Sequence, residues 1–258
     1  MSHIALKTLW NEYFRAMDMG DLETTVYKIT ESTHPLAAKY TELEGLKVCE
    51  FNVEESDPDD VPEDIDVMVI QHADNDWDSY IPKGVRLVIF VHCSFNKSPH
   101  LPASTEVVIY DECGHLYKIN LLPEGLRSLY LSPGTEGSER PEATIELPPK
   151  LWVLEIEGVY DITFVGPMPD RLQELSLLGV ASVLGGGRLP PSLREVHYEA
   201  IDEDHYDFGH EGFVIKNEFK LSCSHHLKVL RLEGDTFKVA GHSVSNLEEY
   251  HAVCDGRI

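Results

Sequence analysis

Apolar and polar positions along this chain follow one phrase many times over. An apolar residue and a proline are followed by two or three variable positions and then Leu-x-x-Leu-x-Leu. The clearest copies are LPEGLRSLYL from Leu122, LPPKLWVLEI from Leu147, MPDRLQELSL from Met168 and LPPSLREVHY from Leu189. Weaker copies start at Val61, Ile81, Leu101, Cys223 and Ser243. Successive starts lie 20, 20, 21, 25, 21, 21, 34 and 20 residues apart. Alternation over the last positions of each copy has the period of a strand. Recurrence near 20 residues leaves room for one strand and its return, so neighbouring strands run parallel and the copies stack into a solenoid. Each proline precedes its strand, where a missing N–H costs no ladder bond.

Residues 1–44 follow a different period. Leu6, Leu9, Trp10, Tyr13, Phe14 and Met17 have the i, i+3, i+4 spacing of one helix face. Gly20 can close that helix and Asp21 can cap a second, carrying Leu22, Val26 and Ile29. Pro35 opens a third short stretch with Leu36, Tyr40 and Leu43. The expectation is a small helical N-terminal cap that shields the end of the solenoid, which fills 45–258. A degenerate first copy, Leu46-x-x-Cys49-x-Phe51, leads through the acidic loop Glu54–Asp60 into the second. Two insertions break the period. Residues 132–146 are rich in Gly, Pro, Ser and Glu and read as a flexible surface loop. Residues 202–222 are acidic and aromatic, and predict a partly ordered flap with Tyr206 and Phe208 as contact residues.

In Leu-x-x-Leu-x-Leu the leucines point into the core and the residues between them point out of the sheet. The early copies present Val67, Val69 and Gln71, then Leu87, Ile89 and Val91, then Val107, Ile109 and Asp111. Apolar residues on both sides of a strand mean that something covers that face. Further along, the same positions hold Ser128 and Tyr130; Val153, Glu155 and Glu157; Glu174, Ser176 and Leu178; Glu195, His197 and Glu199; Val229, Arg231 and Glu233; and Glu249, His251 and Val253. An acidic half therefore follows an apolar half.

The formal charge of −24 sharpens that reading. Such a chain repels phosphate backbones and anionic lipid and favours basic protein partners, so direct nucleic-acid binding and membrane association are both disfavoured. No apolar run approaches the roughly 20 residues that span a bilayer. The start, Met1-Ser2-His3, is not a secretory signal, because Lys7, Asn11, Glu12 and Arg15 interrupt the apolar stretch. The five cysteines are odd in number, scattered and without a C-x-x-C pair, which suits a reducing compartment, cytoplasm or nucleus.

The repeats, from about Leu46 to Val253, resemble the leucine-rich-repeat superfamily. That resemblance implies an α/β solenoid: a curved parallel sheet of about ten short strands used for protein–protein interaction. It also implies that Cys93 and Cys113 are buried where the repeat places Asn or Cys against the loop backbone. Phe90-Val91-His92-Cys93-Ser94-Phe95-Asn96 with Leu101-Pro102 resembles one FNIP-type unit. The skeleton Leu9, Tyr13-Phe14, Met17, Gly20-Asp21-Leu22, Val26 and Ile29 resembles an F-box. It lacks that motif's opening Leu-Pro and a clear tryptophan in its last helix. The F-box resemblance would imply a substrate receptor that grips a ubiquitin-ligase adaptor through residues 6–43.

Candidate chemistry is sparse. Asp202, Asp204, His205, Asp207 and His210, with His225 and His226, have no compact metal-ligand spacing. No Ser sits in a G-x-S-x-G elbow, and Gly185-Gly186-Gly187-Arg188 lacks the Lys-Ser/Thr of a phosphate loop. Neither catalysis, a metal nor a cofactor is expected. The expected function is a non-catalytic scaffold that binds a basic protein through the strand face. Its candidate contact residues are Tyr130, Glu155, Glu157, Glu174, Glu195, His197, Glu199, Tyr206, Phe208, Arg231 and Glu233.

Overall fold

Six of the described copies begin with a turn opened by their proline. The carbonyl oxygens of Pro82, Pro102, Pro123, Pro148, Pro169 and Pro190 accept hydrogen bonds of 3.0–3.2 Å from the N–H groups of Val85, Thr105, Leu126, Leu151, Leu172 and Leu193. Proline has its φ preset for such a turn and no donor to lose. Two residues later the chain becomes extended. A computed structural model describes residues 47–54, 61–74, 81–95, 98–114, 118–134, 142–180, 182–186 and 189–200, together with the strands Val229–Glu233 and Glu249–Val253.

Numbered in chain order, the strands of the first sheet are β1 (Val48–Asn52), β2 (Val67–Gln71), β3 (Leu87–Val91), β4 (Val107–Cys113), β6 (Ser128–Pro133), β8 (Val153–Glu157), β10 (Glu174–Val180), β12 (Glu195–Ala200), β13 (Val229–Glu233) and β14 (Glu249–Val253). They lie side by side in that order, every neighbouring pair parallel. A second parallel sheet, in the order β11-β9-β7-β5, is built from β5 (Lys118–Ile119), β7 (Glu142–Glu146), β9 (Asp161–Pro167) and β11 (Ser182–Gly186). The protein is a parallel β-solenoid whose core lies between the two sheets.

The core follows from the alternation. Met68, Ile70, Val88, Phe90, Val108, Tyr110, Leu129, Leu131, Leu154, Ile156, Leu175 and Leu177 point inward from the first sheet. Ile119, Ala143, Ile145, Ile162, Phe164 and Val183 meet them from the second. Phe90 and Tyr110 stack with ring centroids 5.1 Å apart, and Phe95 meets Phe90 edge-on at 5.1 Å. Cys93 and Cys113 are buried free thiols at the ends of their strands. Cys93 Sγ donates to the Val91 carbonyl at 3.3 Å, and Cys113 Sγ to that of Asp111 at 3.4 Å. Both thiols therefore bond carbonyls of the strands that precede or contain them.

The chain leaves the first sheet through a left-handed residue at one repeating position. His72 (φ 57), His92 (φ 50) and Glu112 (φ 47) hold it in the early copies, and Gly158 (φ 70) and Gly179 (φ 62) in later ones. The three non-glycine residues lean on one another: the imidazoles of His72 and His92 stack at 5.8 Å, and His92 Nδ1 lies 3.0 Å from Glu112 Oε2.

Two expectations change. Among the described residues there is no helix, and the return side of the repeat is built from strands. Ala143, Ile145, Ile162, Phe164 and Val183 supply a second alternating apolar set there. The stretch 132–146, expected as a flexible loop, contains β7 and the end of β6. Its Ala143 and Ile145 are fully or almost fully buried between Glu142, Thr144 and Glu146, a half-buried strand pattern inside a polar composition. The helical cap expected over 1–44 and the flap expected over 202–222 lie outside the described residues.

Candidate interaction surface

The backbone register of the first sheet sorts alternate positions of its strands into three rows. The first runs Val48, Val67, Leu87, Val107, Ser128, Val153, Glu174, Glu195, Val229, Glu249. The second runs Glu50, Val69, Ile89, Ile109, Tyr130, Glu155, Ser176, His197, Arg231, His251. In the third, Asn52, Gln71, Val91 and Asp111 succeed one another, Glu157 pairs with Leu178, and Glu199, Glu233 and Val253 follow. An irregularity between Leu177 and Val180 interrupts this last row.

Tyr130, Glu155, Glu157, Glu174, Glu195 and His197 thus share one face, and the backbone register puts Glu199, Arg231 and Glu233 in line with them. Tyr206 and Phe208 lie outside the described residues. The acids do not form one column. Glu174 lies directly beside Glu195, and Glu199 beside Glu233, whereas Glu155 is flanked by Tyr130 and Ser176. Serine, histidine and Arg231 are interleaved, which moderates repulsion between stacked carboxylates.

The two halves of the face differ sharply in exposure. Val67, Val69, Leu87, Ile89, Val91, Val107 and Ile109 are only 0–5 % exposed, although none of them belongs to the core between the sheets. Val153, Glu155, Glu174, Ser176, Leu178, Glu195 and His197, on the same face, are half-buried, and Glu157 is exposed. The acidic half is the open one.

The boundary between the halves holds two strongly perturbed groups. The Tyr130 hydroxyl donates to Glu157 Oε2 at 2.8 Å. Burial, followed by the charge of Glu157, raises the pKa of that phenol. Asp111 is 1 % exposed and its Oδ2 has no hydrogen-bond partner. Burial first, then the charges of Glu112 and Glu157, push its carboxyl up to about 7. Desolvation disfavours the charged form, and nearby like charges add to that. Asp111 was legible in the sequence as an outward position, but an acid ending an apolar strand carries no sign of being buried.

A second feature was invisible in the repeat pattern. From β3 to β12, the residue before each strand of the first sheet donates to its counterpart in the preceding copy. The N–H groups of Arg86, Glu106, Arg127, Trp152, Gln173 and Arg194 donate to the carbonyls of Asp66, Arg86, Glu106, Arg127, Trp152 and Gln173 at 2.7–2.8 Å. Their side chains consequently form a row along one edge. Arg86 Nη2 lies 2.9 Å from Glu106 Oε1, Arg127 Nη1 lies 3.4 Å from Glu106 Oε2, and the Arg127 guanidinium sits 5.3 Å from the Trp152 ring centroid. Lys47 pairs with Asp64 at the start of this edge. Alternating charge at the variable position before the strand was the only available signal.

Among the described residues no group of three or more His, Cys, Asp or Glu is placed to hold a metal ion. They contain no helix long and apolar enough to cross a membrane. No protein-family model, curated protein or solved structure matches this chain.

Proposed function

We propose that this protein is a non-catalytic interaction scaffold of the leucine-rich-repeat kind, and that it binds a basic segment of another protein through the open half of the strand face. One observation carries the reading. The register gathers Glu155, Glu157, Glu174 and Glu195 on an accessible surface of a chain with formal charge −24, with the buried Tyr130 ring at its margin. A basic segment laid across β6 to β12 relieves repulsion between the registered Glu174 and Glu195, and its charges meet Glu155 and Glu157. Tyr130 supplies a rigid aromatic at the edge of the acidic patch, a residue type enriched where interfaces concentrate their binding energy. Glu199, Arg231 and Glu233 extend the surface along the register, with Tyr206 and Phe208 as its aromatic rim. Cytoplasm or nucleus is the proposed compartment.

The test is affinity capture with the wild-type chain and with the Glu155→Lys/Glu174→Lys/Glu195→Lys variant. Each reversal of a half-exposed charge is expected to weaken binding by about 1 kcal/mol, and added salt should weaken the wild-type complex as well. Basic proteins held by the wild type and released by the variant support the reading. Retention of the same proteins by both, at low and high salt alike, refutes it. The rival reading, a ubiquitin-ligase substrate receptor gripping its adaptor through residues 6–43, needs the apolar face of that segment to be free. Co-purification of an adaptor that is lost on Phe14→Ala and Leu22→Ala, with folding intact, would establish it.

A further inference from the structure

We infer that the apolar half of the strand face, across β2, β3 and β4, is a docking site for the chain's own amino-terminal segment, residues 1–46. Seven aliphatic side chains of this face are 0–5 % exposed in the isolated chain, so the atoms that cover them belong to the chain itself. Their equivalents further along, Val153 and Leu178, are flanked by strands in the same way and remain half-buried. Neighbouring strands alone therefore do not produce the burial. The second sheet cannot produce it either, because it packs on the opposite side of the first. Among the described residues nothing remains to cover the strip.

Position, size and chemistry single out residues 1–46. Residue 47 leads directly into β1, the edge strand beside β2, so this segment enters the sheet next to the strip. The helix expected over Leu6–Met17 would be about 17 Å long at 1.5 Å per residue. The four strands β1 to β4 span about 14 Å between outer axes at roughly 4.8 Å spacing. One helix laid across them matches the strip, with Leu6, Leu9, Trp10, Tyr13, Phe14 and Met17 on its apolar face. The competing segments fit less well. Residues 55–60 are acidic, 75–80 are spent bridging consecutive strands, and 201–228 attach to β12, four strands from β4. An apolar cover also accounts for two unpaired groups at its far margin: Asp111 Oδ2 and Ser128 Oγ are buried without hydrogen-bond partners. Docking leaves β8 to β12 as the open part of the face among the described residues. It also uses the residues that an adaptor-binding module would need exposed.

The experiment uses the full-length chain with Trp77→Phe and Trp152→Phe, so that Trp10 is the only tryptophan. Emission maximum and acrylamide quenching are read with and without Ile89→Asp, and with Ser176→Asp as a control on the open half. The expected result is blue-shifted, protected Trp10 emission that moves to the water-exposed value with Ile89→Asp, quenching rising at least threefold, and does not move with Ser176→Asp. Circular dichroism checks the fold; should Ile89→Asp unfold the chain, the near-isosteric Val69→Thr replaces it. Water-like emission from Trp10 in the starting protein would overturn the inference. So would protection that ignores both strip substitutions, or protection lost on dilution, which assigns the cover to a second copy. No partner enters the assay, so its result is independent of whether the acidic half binds a basic protein.

Discussion

Replacing Asp111 by asparagine tests a buried carboxyl on the strand face, at the boundary between its two halves. The side chain is 1 % exposed, its Oδ2 has no hydrogen-bond partner, and its pKa is raised from 3.8 to about 7. A shift of about three units corresponds to roughly 4 kcal/mol between the two protonation states. The folded protein holds the proton more tightly than the unfolded chain. Asp111 therefore costs nothing below about pH 4, and its cost grows as pH rises, levelling off above about pH 7 when the native carboxyl is ionised too. Asparagine has nearly the same shape and no charge. Relative to wild type, Asp111→Asn should gain stability as pH rises, and about 2 kcal/mol of that gain falls between pH 5.5 and 8.5. Urea unfolding of both proteins across this range, which stays clear of the pI near 4.8, measures the difference. Other carboxylates titrate in both proteins and cancel. A difference independent of pH would refute the reasoning, because it would mean that Asp111 is paired or hydrated.

Gly185 has φ +79, and an added Cβ would lie 2.2 Å from the Phe164 carbonyl oxygen, so Gly185→Ala should cost about 2–4 kcal/mol. Gly158, at φ +70 with nothing within 4 Å of its notional Cβ, should lose only about 1 kcal/mol as alanine; equal urea midpoints for the two variants would contradict this. Glu106→Gln, flanked by Arg86 and Arg127, should cost about 0.5–1 kcal/mol at low salt and less at high salt, read from denaturation at both ionic strengths. Phe90→Ala removes a fully buried ring that stacks on Tyr110 and meets Phe95, and should cost about 3–5 kcal/mol in the same assay.

Much of this protein could be read without coordinates because its repeat is short-ranged. A turn opened by Pro123 and closed by Leu126, followed by strict alternation through Leu129 and Leu131, is decided within ten residues, and repetition then forces neighbouring strands to be parallel. The inward and outward sets follow from the strand period of two, and they agree with the register from β2 to β12. The second sheet was harder. β5 has two residues and β7 has five, and the alternating Ala143 and Ile145 sit within a Gly-, Pro- and Glu-rich stretch whose composition points to a loop. Only packing against Ile119 and Ile162 makes a strand of it.

The sequence by itself determined the solenoid, the inner core and the division of the strand face into an apolar and an acidic half, since each depends on local period and side-chain polarity. Tertiary structure decided how these residues meet. Registration put Glu174 beside Glu195 but separated Glu155 from other acids, and it joined Arg86, Glu106, Arg127 and Trp152 into an edge row across copies 20 to 25 residues apart. Burial made Asp111 a carboxyl with a pKa near 7, whereas Glu157, two strands further along the same row, stayed exposed. Desolvation and charge–charge energies depend on distances through space, and the linear pattern contains none of those distances.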